Sequence, residues 1–167
     1  MPRVLFVCTG NICRSAYAER RAQHMAPGVD FLSAGTHAMR GWGMDDTMTT
    51  ELEARGGTAD GFQAQQLTAG LARSADLLLC ATREHRAYVA EEWPDILNRT
   101  FVMKPYARDV SAESTNAPWV PVPVSLFRPA LTREDDIADP YRLGQSEAAR
   151  AAEEIDEVLA TIANGHG

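Results

Sequence analysis

The stretch "VLFVCTGNICRSAYAE" (residues 4–19) decides how this chain folds. Val4–Val7 is a continuous apolar run with two β-branched residues, the mark of a strand covered on both faces. From Ser15 to Met25 the residues Ala18, Ala22 and Met25 fall on one helical face, and Pro27-Gly28 stops the helix. Residues 8–15 therefore form the turn that leaves a buried strand and enters a helix. Gly10 and Asn11 are residue types that tolerate left-handed backbone. They let the loop curl so that successive N–H groups point inward. The helix that begins near Ser15 aims its free N–H groups and its dipole at the same spot. Such a loop is a cradle for an anion. Arg14 adds a planar fork matched to two phosphate oxygens. Cys8 lies on the floor, where positive potential favours the thiolate, and a thiolate beneath a phosphate is placed for in-line attack on phosphorus. A lone cysteine at a strand end is ordinarily a small buried apolar residue. The joint arrangement of Cys8, Arg14 and Ser15, flanked by strand and helix, carries the reading. No Gly-Lys-Ser/Thr follows, so this is not the phosphate loop of nucleotide-binding proteins.

Outward from that stretch, strands alternate with helices. Val29–Ser33 reads as a second strand, with a turn at Ala34-Gly35 and an irregular loop over Thr36–Gly43. A helix is expected over Asp45–Arg55, ending at Gly56-Gly57, and a short one over residues 69–74 capped by Thr68. Asp76–Cys80 is a third buried strand, Arg83–Trp93 a helix stopped by Pro94, and Thr100–Met103 a fourth strand. Residues 104–137 are rich in proline, and "APWVPVPVS" cannot be a central strand because its prolines lack donors. A long surface excursion is expected there, at about 104–137. Ser146–Asn164 closes the chain as an amphipathic helix. The pattern predicts a single α/β domain over 1–167: a three-layer, doubly wound sheet of four parallel strands with helices on both faces. Ligands bind such sheets at the carboxyl ends of the strands, where the opening stretch lies.

Composition narrows the function. The 167 residues carry a net charge of −7 and no basic block, which argues against a nucleic-acid partner. No apolar run is long enough to span a bilayer, and Met1-Pro2-Arg3 leads straight into a strand. No signal peptide is read, and the cytoplasm is the expected location. Three cysteines are too few and too oddly spaced for a secreted disulfide framework. The four histidines do not pair with the cysteines at metal-ligand spacings, so no metal and no cofactor are expected.

The segment "FVCTGNICRSAYAE" resembles the active-site signature of the low-molecular-weight protein-tyrosine phosphatases. "SAGT" (33–36), "ADLLLCATREHR" (75–86) and "DDIADPY" (135–141) resemble further segments of that family. The resemblance implies a phosphatase acting through a phosphocysteine on Cys8, with Arg14 clamping the phosphate. Thr9, Gly10, Asn11, Ile12, Cys13 and Ser15 complete the phosphate loop. Asn11 holds its strained shape, and Ser15 donates its hydroxyl to Cys8. Asp139 is the general acid, needed because tyrosine leaves as a phenolate of pKa about 10. Asp135 and Asp136 read as solvated loop charges. Cys13 is implied to trap oxidised Cys8 as a reversible disulfide. Cys80 reads as buried and inert.

Ile12, Ala38, Met39 and Tyr141 are the expected walls of the substrate pocket, with Trp42 assigned to packing. The implied partners are a phosphotyrosine-bearing protein, an autophosphorylated bacterial tyrosine kinase among them, with inorganic phosphate as product and a monomeric state. Three alternatives stand beside this. A protein-arginine phosphatase carries threonine where this chain has Ile12. An arsenate reductase needs two further downstream cysteines, and only Cys80 is there. A non-catalytic phosphate-binding module would not need Cys8, Ser15 and Asp139 together.

Overall fold

The computed structural model describes residues 1–112, 118–123 and 129–164. Four strands, β1 (Arg3–Cys8), β2 (Asp30–Gly35), β3 (Leu77–Cys80) and β4 (Thr100–Val102), form one parallel sheet in the order β2-β1-β3-β4. The helices are α1 (Arg14–Met25), α2 (Asp46–Ala54), α3 (Ala69–Ser74), α4 (Arg83–Glu92), α5 (Met103–Ala112) and α6 (Gln145–Asn164). Parallel strands need crossovers, and the helices supply them.

Side chains alternate across a strand, so β1 feeds two cores. Val4 and Phe6 join Leu77, Leu79 and Phe101 against α1, α2, α5 and α6. Leu5 and Val7 join Leu78 and Cys80 against Ala72 of α3, Val89 of α4 and Ile96. All four β1 residues are at most 1% exposed, which explains why that run carries no polar side chain. The expected fold class holds. The chain steps from β1 to β2 on one side and then to β3 on the other. The carboxyl end of β1 is therefore the switch point where such sheets bind ligands.

Two expectations are corrected. Ala34 and Gly35 are not a turn but the last residues of β2, pairing with Val7 and Cys8. Their outer edge is covered: Gly35 N–H donates to the Gln65 carbonyl and Leu67 N–H to the Gly35 carbonyl. The surface excursion is corrected over its first part. Residues 103–112 form α5, with Tyr106 and Val110 buried and the Tyr106 hydroxyl donating to the Val120 carbonyl at 2.7 Å. Pro105 is tolerated because it sits in the first turn, where an N–H has no helical partner anyway. Trp119 is also buried, edge-on to Phe31 with ring centres 4.9 Å apart. The remaining parts of that expectation at 113–117 and 124–128 lie outside the described residues.

Gly35 ties the sheet to the loop after β1. A Cβ there would stand 2.3 Å from the Thr9 carbonyl oxygen and 3.1 Å from the Asn11 nitrogen, both backbone atoms that cannot swing away. Gly35→Ala should therefore displace the loop while leaving the sheet intact. Overpacking of about 1–3 kcal/mol predicts roughly five- to hundredfold weaker binding of an oxyanion such as vanadate, measured by isothermal calorimetry, with an unchanged far-ultraviolet spectrum. Wild-type affinity in that variant would contradict this packing.

Candidate active site

Residues 8–15 leave β1 as a curled loop whose shape is imposed from outside. The carbonyls of Cys8, Thr9, Gly10 and Ile12 accept hydrogen bonds from the N–H groups of Thr36, His37, Met39 and Asp45, at 2.9–3.0 Å. A trans peptide is planar, with its C=O and following N–H pointing opposite ways. No described peptide bond is cis. Four outward carbonyls therefore turn the N–H groups of Thr9, Gly10, Asn11 and Cys13 inward. The first turn of α1 adds its own free N–H groups and its dipole. The loop and the start of α1 together form a concave ring of backbone donors around Cys8.

Asn11 makes the curl possible. It is buried with φ at +59°, a left-handed conformation that asparagine tolerates better than most residues. Its side-chain amide donates to Ser15 Oγ at 2.8 Å, and its Oδ1 accepts from Gln65 N–H at 2.9 Å. Ser15 Oγ lies 2.9 Å from Cys8 Sγ. Ser15 Oγ accepts from Asn11, and its single hydrogen has two acceptors in reach, the Cys8 sulfur at 2.9 Å and the more distant Ala34 carbonyl at 3.5 Å.

Arg14 is only 4% exposed. Its Nη1 donates to the Ile137 carbonyl at 2.9 Å, and its Nη2 lies 3.8 Å from Asp139 Oδ2. Its Nε is buried with no partner among the described residues. A buried N–H costs free energy until it is satisfied, and an oxyanion in the cradle is the partner the geometry offers. Asp139, by contrast, is half exposed, and its Oδ1 accepts from Tyr141 N–H at 3.1 Å. That turn, stiffened by Pro140, holds the carboxylate at the mouth.

The slot above Cys8 has a volume of about 150 Å³ and is walled by Ile12, His37, Met39 and Tyr141. Ala38 is not on it. Its N–H is tied to Gln66 Oε1 at 2.9 Å, which turns His37 and Met39 to the slot instead. Trp42 is not a packing residue. It is 53% exposed on a neighbouring cleft shared with Ile12 and Tyr141, because the next helix starts only at Asp46 after the Asp45 cap. Cys13 is buried, and burial together with the negative charge of Asp45 pushes its thiol well up. Cys80 is fully buried on the other core, its thiol pushed up to about 12 by burial.

Asp135 and Asp136 are not solvated charges. Asp135 is buried, accepts from Thr132 N–H at 2.7 Å and pairs with Arg108 at 2.8 Å. Asp136 accepts from Arg83 N–H at 2.9 Å and pairs with its guanidinium at 3.1 Å. Burial works against both charges, but these hydrogen bonds win and hold both carboxyls below their ordinary range.

His85 is the site residue that sequence reasoning missed. Its Nδ1 accepts from Thr82 N–H at 3.2 Å, which leaves the proton on Nε2 to donate to Thr9 Oγ1 at 2.9 Å. His85 thus braces the cradle from α4. The signal was the spacing Thr82-x-x-His85, a capping box at the start of that helix. Burial, and then the Arg14 charge, push the imidazole down to about 4.

A histidine with a depressed pKa adds stability above its unfolded value of about 6.5, and that stability is lost as pH falls through about 4. Thermal midpoints of wild type and His85→Gln should therefore converge between pH 7 and pH 4. A gap that stays constant across that window would show that His85 is not held neutral.

Comparison with known proteins assigns the chain to a family. The profile of the family described as low molecular weight phosphotyrosine protein phosphatase matches residues 3–125. The chain is 37% identical over 99 residues to the low molecular weight protein-tyrosine-phosphatase Etp of Escherichia coli K12, covering 59% of this chain and 67% of that one. The crystal structure of the Erwinia amylovora tyrosine phosphatase AmsI superposes with a TM-score of 0.78 at 25% identity, covering 97% of this chain and 91% of that one. The YwlE arginine phosphatase of Geobacillus stearothermophilus superposes with a TM-score of 0.79, also at 25% identity, covering 98% and 92%.

Proposed function

The chain belongs to the low molecular weight phosphotyrosine protein phosphatase family, and we propose that it hydrolyses aryl phosphate esters of protein tyrosines through a phosphocysteine on Cys8. One observation carries this reading. A cysteine sulfur, hydrogen-bonded by Ser15, lies on the floor of a cradle whose other members are inward N–H groups and a buried guanidinium.

In the first step Cys8 Sγ forms a bond to phosphorus as the bond to the phenolic oxygen breaks. Charge on the three remaining phosphoryl oxygens is met by the loop N–H groups and by Arg14, whose fork is fixed before substrate arrives. The Ser15 hydroxyl steadies the sulfur as thiolate. Asp139 gives its proton to the departing phenolate. In the second step a water attacks phosphorus, Asp139 takes back a proton, and the S–P bond breaks to return the thiolate and release inorganic phosphate.

The walls support an aromatic substrate. Ile12, Met39 and Tyr141 offer apolar contact to a ring. An arginine phosphatase of similar fold is known, but Ile12 brings no hydroxyl for a guanidinium. The partner we propose is a phosphotyrosine-bearing protein, such as an autophosphorylated tyrosine kinase, met in the cytoplasm. The three free thiols support that compartment, and no helix of the described residues is long and apolar enough to cross a membrane.

The role of Asp139 is tested by leaving groups. Asp139→Asn cannot donate an acid proton. Rapid-mixing measurement of phenol release should show a loss of about 10²–10⁴-fold with phenyl phosphate and a much smaller loss with a dinitrophenyl ester. Equal losses for both would mean that Asp139 only shapes its loop.

A further inference from the structure

Given the reading of Asp139 as the acid, on which this rests, we propose that the first turn of α4 is the spacer that sets the acid against the nucleophile, with His85 and Asp136 as its two positioning residues.

The turn is joined to β1. Ala81 N–H, one residue beyond β3, donates to the Val7 carbonyl at 2.9 Å, immediately before Cys8. From the same turn, His85 Nε2 reaches Thr9 Oγ1, immediately after Cys8. The nucleophile is thus held between two contacts to the segment 81–85. The acid loop is joined to the same segment on its other side. Ile137 N–H donates to the Ala81 carbonyl at 3.0 Å. Asp136 accepts from Arg83 N–H at 2.9 Å and from the Arg83 guanidinium at 3.1–3.3 Å. Ile137 then offers its carbonyl to Arg14, and Asp139 follows two residues later.

Packing holds the two ends of this stretch, at Ile137 and Pro140, and polar ties hold the exposed part that carries the acid. Ile137 is fully buried and keeps the loop from leaving, but Ala138 and Asp139 are exposed. A cleft of about 350 Å³ opens between the start of α4 and residues 133–139, bordered by Thr82, His85, Asp136 and Asp139. The acid loop has room to shift into it. The Asp136 carboxylate, on the free N–H of the helix and on Arg83, opposes that shift. A misplacement of about 1 Å in a reacting group costs up to about a hundredfold in rate, so an aim set by one carboxylate is measurable.

The two positioning residues act on different groups, Asp136 on the acid and His85 on the cradle, which separates them from a general loss of structure. Asp136→Ala releases only the acid. It should lower phenol release from phenyl phosphate about tenfold or more, leave a dinitrophenyl ester near the wild-type rate, and leave KM for both unchanged. Asp136→Asn keeps an oxygen for the Arg83 N–H and should recover part of the loss. His85→Ala loosens the cradle and should slow both esters alike. If Asp136→Ala fails to fold, Arg83→Ala, which removes only the surface ion pair, must show the same contrast at smaller size. Equal losses for both esters, or no loss, in the Asp136 or Arg83 variant would overturn the spacer while Asp139→Asn still shows its contrast. A flat response in Asp139→Asn itself would remove the acid assignment and the spacer with it.

Discussion

The outward pull on four carbonyls of the phosphate loop is the constraint on which the rest of this structure depends. A peptide chain does not expose a row of inward N–H groups unless something takes the carbonyls behind them. Here residues 36–45 take them, and that segment is in place because β2 lies beside β1 and ends at Gly35. The close approach of Gly35 to Thr9, the left-handed backbone of Asn11 and the hydrogen bond from Gln65 to its side chain all follow from keeping that loop curled. The sheet order then brings the end of β3 and the start of α4 to its other side.

Such a site is costly to assemble and cheap to use. A buried guanidinium is removed from water, and one of its donors is unpaired in the described structure. A buried imidazole is held neutral beside it. These costs are met during folding by the two apolar cores that flank the sheet. The dipoles therefore do not have to reorganise when charge develops on a phosphoryl group. Cys8 and Arg14, neighbours in the sequence, share one slot with Asp139 from the far end of the chain.

What the sequence disclosed was what is local. The apolar run at 4–7, the curl at Gly10-Asn11 and the helix beginning beside Arg14 are contiguous, so the fold class and the cradle were legible together. Features set by contacts across the fold were not. Residues 104–137 read as a surface excursion because of their prolines, although Pro105 in a first helical turn costs no hydrogen bond, and Tyr106 and Val110 supply a buried stripe. Asp135 and Asp136 read as solvent charges because their partners, Arg108 and Arg83, lie on other elements. Ala38 gave way to His37 on the slot, since the Ala38 N–H is tied to Gln66 Oε1 on another segment, and Trp42 lies on the open surface. His85 was hidden by a search for metal ligands, although its spacing from Thr82 is a helix cap.

In the proposed reaction the phosphoryl group passes through Cys8. It is tested most directly by quenching the reaction with an aryl phosphate within its first turnover and mapping the labelled peptide by mass spectrometry. A phosphoryl group should form on the Cys8 sulfur as fast as phenol is released and be absent in Cys8→Ala. Phenol release from wild-type protein with no label on Cys8, or with the label on another residue, would contradict it.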